Sequence, residues 1–175
     1  NQVNVKRECC DEVFEKMMVM SEDSWARHSN PLSVYTRVPC LSLLSLAIWS
    51  REYIGFYSIF FIGLALFWIW YNPRAFGVPK STSNWASKAV FGERIYLDKA
   101  QLDIPQHHLT AVRVISTSMA PGLPILFYGL YLNDLWLIAF GNFWVLVLKL
   151  WFLDRMVWLF DDMKASNAQF KAWEY

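Results

Sequence analysis

Cysteine is scarce: the 175-residue chain has three, with Cys9 and Cys10 adjacent and Cys40 standing alone. Adjacent cysteines have poor geometry for a mutual disulfide, and the spacing of a paired zinc motif is absent. A disulfide-stapled scaffold is therefore excluded, and a reducing compartment fits the chain best. Histidine is equally rare, at three residues, far too few for a polyhistidine di-iron membrane hydroxylase. Excess charge is missing as well. Sixteen Lys plus Arg face fifteen Asp plus Glu, for a net +1, so no global field directs the chain to nucleic acid. There is no strand–turn–helix phosphate loop, nucleophile elbow or dinucleotide fingerprint. The first 30 residues hold no long apolar run, and no cleavable signal peptide is expected within them.

Apolar and aromatic side chains are abundant instead: 55% hydrophobic and 18% aromatic, with ten Trp. Indole and phenol rings favour the headgroup boundary of a bilayer. The apolar residues fall into four segments, 38–50, 54–71, 114–133 and 135–153. Arg51-Glu52-Tyr53 splits the first pair and Asp134 the second. A spanning helix needs about 20 uncharged, mainly apolar residues, and the 114–133 run is uncharged over that length. The expected fold is all-α: an integral membrane helical bundle of two transmembrane hairpins with peripheral amphipathic helices. Among the basic residues, only Arg51 lies in a hairpin turn and only Lys149 within a span. The others flank the spans on the side that holds both ends and the long connection. Positive flanks stay on the cytoplasmic or matrix-like face, so both termini are expected there.

Three regions follow. Residues 1–30 read as a docking segment whose first 20 form an amphipathic helix, with Val13, Phe14 and Met17 among Glu12, Glu15 and Lys16. Residues 31–155 form the transmembrane domain, with the 72–113 connection at the inner interface. Residues 156–175 form a helix-compatible tail that can continue the fourth helix. Asn30-Pro31 is a strong helix start, and Pro39 should kink or restart that helix. Pro73 biases Asn72 away from helix and should close the second span. Within the connection, Ser81-Thr82-Ser83-Asn84 precedes an apolar stretch ending in Gly92, which reads as a short helix in the headgroup layer with Trp85 and Phe91 dipping inward. Pro121-Gly122-Leu123-Pro124 must disturb the third span, and carbonyls freed there need protein or water partners, so the break should face other helices. The Lys149 stem can lie in the apolar layer while its ammonium snorkels to the interface. The halves echo each other, since Trp25-Ala26-Arg27 and Trp85-Ala86-Ser87-Lys88 each precede a hairpin.

His28-Ser29-Asn30-Pro31, Arg37, Trp49-Ser50-Arg51, Asn72-Pro73-Arg74-Ala75-Phe76, Asn84-Trp85-Ala86-Ser87-Lys88 and Gly92-Glu93-Arg94 together resemble a family of small multi-helix membrane proteins of unknown function, best represented in bacteria and archaea. The resemblance covers most of the chain from His28 onward. It implies a four-span membrane fold and no established reaction.

Two groups of polar residues are site candidates. His28, Asn30, Arg37, Arg74, Lys88 and Arg94, with Glu93, should gather on the inner side, where Arg offers a planar donor fork to a lipid headgroup or other anion. The alternative is a structural network fixing the connection to the first hairpin. His107-His108 is a weak metal candidate, because neighbouring helical side chains point about 100° apart. It is read as anchoring a helix start, and no metal is assigned. No cofactor is expected, although one imidazole suffices for a haem or pigment. The expected role is a non-catalytic accessory subunit of a larger membrane complex, in an energy-transducing membrane such as the mitochondrial inner membrane, with a bacterial-type plasma membrane as the alternative. Its expected partners are membrane lipids and other integral membrane subunits, with no nucleic acid. The alternatives are a small membrane enzyme using the inner His/Arg cluster and a two-hairpin transporter.

Overall fold

The computed structural model describes residues 22–175. The expected amphipathic helix over residues 1–20, and with it Cys9 and Cys10, lies outside the described residues. Among the described residues every regular element is helical. The order is α1 (Glu22–His28), α2 (Pro31–Arg37), α3 (Cys40–Trp49), α4 (Arg51–Ile54), a 3-10 turn (Gly55–Tyr57), α5 (Ser58–Ala75), α6 (Trp85–Leu97), α7 (Gln106–Met119), α8 (Gly122–Leu132), α9 (Leu135–Ser166) and α10 (Ala168–Lys171).

Three helical stretches are long and apolar enough to cross a membrane: Pro31–Asn72, Gln106–Leu132 and Leu135–Ser166. The first is folded back on itself, with α3 lying against α5. Side chains fasten that fold at its open end. Ser33 Oγ donates to Asn72 Oδ1 at 3.0 Å, and Asn72 Nδ2 donates to Thr36 Oγ1 at 2.6 Å. At the opposite end, Arg51 Nη2 donates to the Leu130 carbonyl and, at 2.8 Å, to Asn133 Oδ1, while Asn133 Nδ2 donates to Glu52 Oε1 at 2.7 Å. The turn after α3 therefore meets the turn between α8 and α9. Asn133 makes that second turn in the left-handed region, at φ 56°, a conformation Asn tolerates better than most residues. Asp134 Oδ1 then accepts from the Trp136 and Leu137 amides and starts α9.

Helix α9 is the spine against which α6, α7 and α8 pack. Its 32 residues run roughly 48 Å at 1.5 Å per residue, well beyond a ~30 Å hydrocarbon core. At the α8 end, Leu126, Leu130 and Ile138 form an apolar cluster joined by Leu41, Ile48 and Trp49. Small residues bring the backbones together there: a Cβ on Gly141 would sit 2.7 Å from the Leu126 amide nitrogen. At the other end, Phe91, Ile95, Ile104, Val112, Met156, Leu159 and Phe160 build a larger core from α6, the segment after it, α7 and α9.

Three details depart from the sequence expectation. Helix α5 runs through Asn72 to Ala75 rather than closing at Pro73, because Asn72 is fully buried and pinned by Ser33 and Thr36. Gly92 does not end α6, which continues to Leu97. Instead Gly92 lies so close to α9 that a Cβ there would overlap the Met156 carbonyl. Helix α6 is consequently packed on protein, with Ala86, Ala89, Val90, Phe91 and Ile95 buried. The break at Pro121 does face another helix, since a Cβ on Gly122 would meet Trp144 Cδ1 at 2.6 Å. Pro121 and Pro124 lack amide hydrogens. Trp144 Nε1 reaches back to the Ser118 carbonyl at 2.8 Å, supplying a partner beside the interrupted ladder.

Two glycines test the α6–α9 contact. Gly92→Ala must push helix backbones apart and should destabilise the protein by about 1–3 kcal/mol, outweighing a helix-propensity gain of about 1 kcal/mol. Gly63→Ala in α5, with nothing within 4 Å, should be neutral or stabilising. Thermal unfolding of both variants in detergent checks this, and equal melting temperatures would contradict the packing.

Candidate functional site

Between α2–α3, α6 and α9 lies a cavity of about 290 Å³. Val34, Val38, Leu41, Val90, Val145, Leu146 and Leu153 supply its apolar walls, and Arg37, Ser42, Glu93, Asn142 and Lys149 its polar groups. Each charged group is held by local structure. Arg37 is the last residue of α2, stopped by Pro39 two positions later. Its Nε donates to the Ser33 carbonyl at 3.2 Å, and its Nη1 lies against the His28 ring nitrogens. His28 is buried at the end of α1, edge-on to Trp25. Burial, followed by the positive charges of Arg37 and Lys149, lowers its pKa from 6.5 to about 3. The imidazole is thus neutral and can accept from the guanidinium.

The opposite wall follows from Gly92. Because Gly92 seats α6 on α9, its neighbour Glu93 faces Lys149, and the two pair at 3.1 Å. The Lys149 ammonium also sits 4.9 Å from the centre of the Phe152 ring. With Arg37 and Lys149 positive, Glu93 negative and His28 neutral, the site carries one surplus positive charge. Asn142 Nδ2 donates to Ser45 Oγ at 2.8 Å, tying α9 to α3 below the charges.

The six anticipated inner-face residues do not form one site. His28 and Arg37 meet. Asn30 instead caps α2, accepting from the Leu32 amide, and donates to the Gly77 carbonyl at 2.9 Å. Arg74 is exposed, stacks 4.9 Å over Trp70 and donates to that residue's carbonyl. Lys88 pairs at 3.2 Å with both Asp161 and Glu174, and Lys164 closes the same network at 2.6 and 2.7 Å. The Lys164 hydrogen bond holds the Glu174 carboxyl below its usual range despite partial burial. Arg94 lies over the rings of Trp173 and Trp25, at 4.5 and 5.7 Å. Sequence reading missed Lys149, Asn142 and Ser42 as site members. A lone cation and a lone amide inside an apolar run were the available signals.

His107 and His108 open α7 with ring centres 4.1 Å apart. His108 is buried, and its Nε2 lies 2.8 Å from Asp162 Oδ2 on α9, while His107 Nε2 is 3.8 Å from the same oxygen.

These observations define an all-helical chain, within the described residues, with three stretches able to cross a membrane. It belongs to a family of unknown function, DUF6653, whose profile matches residues 9–174. No curated protein and no solved structure matches the chain.

The His28 environment makes stability depend on pH. Between about 6.5 and about 3 the folded imidazole stays neutral while the unfolded chain takes up a proton. The contribution is therefore fully present above 6.5 and is lost as pH falls towards 3. Each pH unit below about 6 should remove up to ~1.4 kcal/mol. Melting temperatures from pH 7 to 4 should fall less steeply for His28→Gln than for the wild type; identical slopes would contradict a buried neutral imidazole.

Proposed function

We propose that this chain is an integral membrane protein that binds an anionic amphiphile at its polar end. In this reading α3 and α5 form one membrane hairpin, and α7–α8 with α9 form the other. The Arg51–Asn133–Glu52 contacts between the two turns support that arrangement. The termini and the α6 connection then lie at the opposite, cytoplasmic or matrix-like face, where basic residues collect. The observation that carries the proposal is the surplus positive charge in a cavity that combines a polar side with an apolar wall. A phosphate-type headgroup fits the Arg37 fork and the Lys149 ammonium, and an acyl segment fits the Val38, Leu41 and Val145 wall.

A second reading, an accessory subunit of a larger membrane complex in an energy-transducing membrane, draws on α5. That helix leaves Ile59, Phe60, Leu64, Phe67 and Trp70 exposed, a surface suited to lipid or to a partner helix.

Binding of phosphatidylglycerol and phosphatidylcholine to the detergent-purified full chain, followed by native mass spectrometry, tests the first reading. The anionic lipid should bind more tightly. Arg37→Gln and Lys149→Gln should each weaken it about fivefold, the scale of about 1 kcal/mol per basic side chain at an anionic surface. Equal binding of the two lipids, or binding indifferent to both substitutions, would overturn the reading. Migration of the native chain in a particle much larger than its own micelle would favour the subunit.

A further inference from the structure

We propose that His107, His108 and Asp162 form a binding site for one divalent transition-metal ion of the zinc class. Their potential ligand atoms all lie within 4.8 Å of one another. Asp162 Oδ2 stands 2.8 Å from His108 Nε2 and 3.8 Å from His107 Nε2. In a tetrahedral site with metal–ligand bonds of about 2.0–2.1 Å, ligand atoms stand about 3.3 Å apart. These two separations bracket that value, and the third lies within 4.8 Å, so an ion can bind by side-chain adjustment.

The 100° between successive helical side chains does not keep the two imidazoles apart here. They occupy the first turn of α7, just after Pro105, with rings tilted only 39° to each other. His108 is fixed by burial between α7 and α9, whereas His107 and Asp162 are exposed. An ion can therefore enter from the polar side and keep an open coordination position.

A simple helix pin would need only the His108–Asp162 hydrogen bond. It does not account for His107 converging on the same carboxylate oxygen. Neighbouring Asp161 shows the contrast: its partners are the ammonium groups of Lys88 and Lys164, while those of Asp162 are the two imidazoles. Two imidazole nitrogens and one carboxylate oxygen suit zinc, cobalt or nickel better than magnesium or calcium, which prefer all-oxygen shells. The ion would also clip the start of α7 to the distal half of α9, at a site separate in its residues from the Arg37 cavity.

Tag-free full chain in detergent, titrated with Co²⁺, provides the test. One equivalent should bind with the visible d–d absorption of a low-coordinate site, and Zn²⁺ should displace it and raise the melting temperature. His107→Ala and Asp162→Asn alter exposed side chains and should keep the helical circular dichroism. Each should weaken Co²⁺ binding at least ~10-fold, the scale that even an outer-shell partner contributes. Cys9→Ser/Cys10→Ser should bind as the wild type does. Absence of stoichiometric binding would overturn the proposal. So would affinity unchanged in both ligand variants, or binding that disappears with the two cysteines.

Discussion

The approach of α6 to α9 at Gly92 is the contact on which the polar end of the molecule depends. Only a residue without a Cβ lets the α6 backbone meet the Met156 carbonyl. That approach buries Phe91 and Ile95 against Met156, Leu159 and Phe160. It also turns Glu93 toward Lys149 and places Lys88 within reach of Asp161 and Glu174. One steric allowance thus sets a core, a charged cavity wall and the ion network that ties down the C-terminal residues.

Elsewhere the structure is governed by the need to pair polar groups in apolar surroundings. Exposed faces carry large hydrophobic side chains along α5, α8 and α9, while polar atoms turn inward and find one another. Asn72 binds Ser33 and Thr36, Asn142 binds Ser45, and Trp144 serves the Ser118 carbonyl beside the proline break. Among the described residues no buried side-chain nitrogen or oxygen lacks a partner. A chain in hydrocarbon has no water to make up such a deficit. Large apolar side chains on exposed faces, with every buried polar group paired, are compatible with a lipid-facing bundle.

The helical class, the apolar stretches and the Asn30 cap were legible because each rests on residues close in sequence. Pro39 and the Pro121–Pro124 region interrupt helix as expected, since a missing amide hydrogen acts locally. Gly92 and Pro73 misled for the converse reason. Each carries a local terminator signal, and each is overridden by a contact with a distant element: Met156 for Gly92, and Ser33 with Thr36 at neighbouring Asn72. Charge shows the same limit. Basic residues expected to gather in one site are divided among an aromatic stack at Arg94, a carboxylate network at Lys88, an exposed position at Arg74 and the cavity at Arg37.

Local sequence dictates that long apolar helices form and where most of them begin and break, because hydrophobic periodicity, proline and capping side chains act within a few residues. Which polar side chains meet is settled only by long-range packing. Lys149 is 56 positions from Glu93, and Asp162 is 54 from His108. No spacing rule connects residues that far apart; only the crossing of α6 and α7 over α9 brings them together.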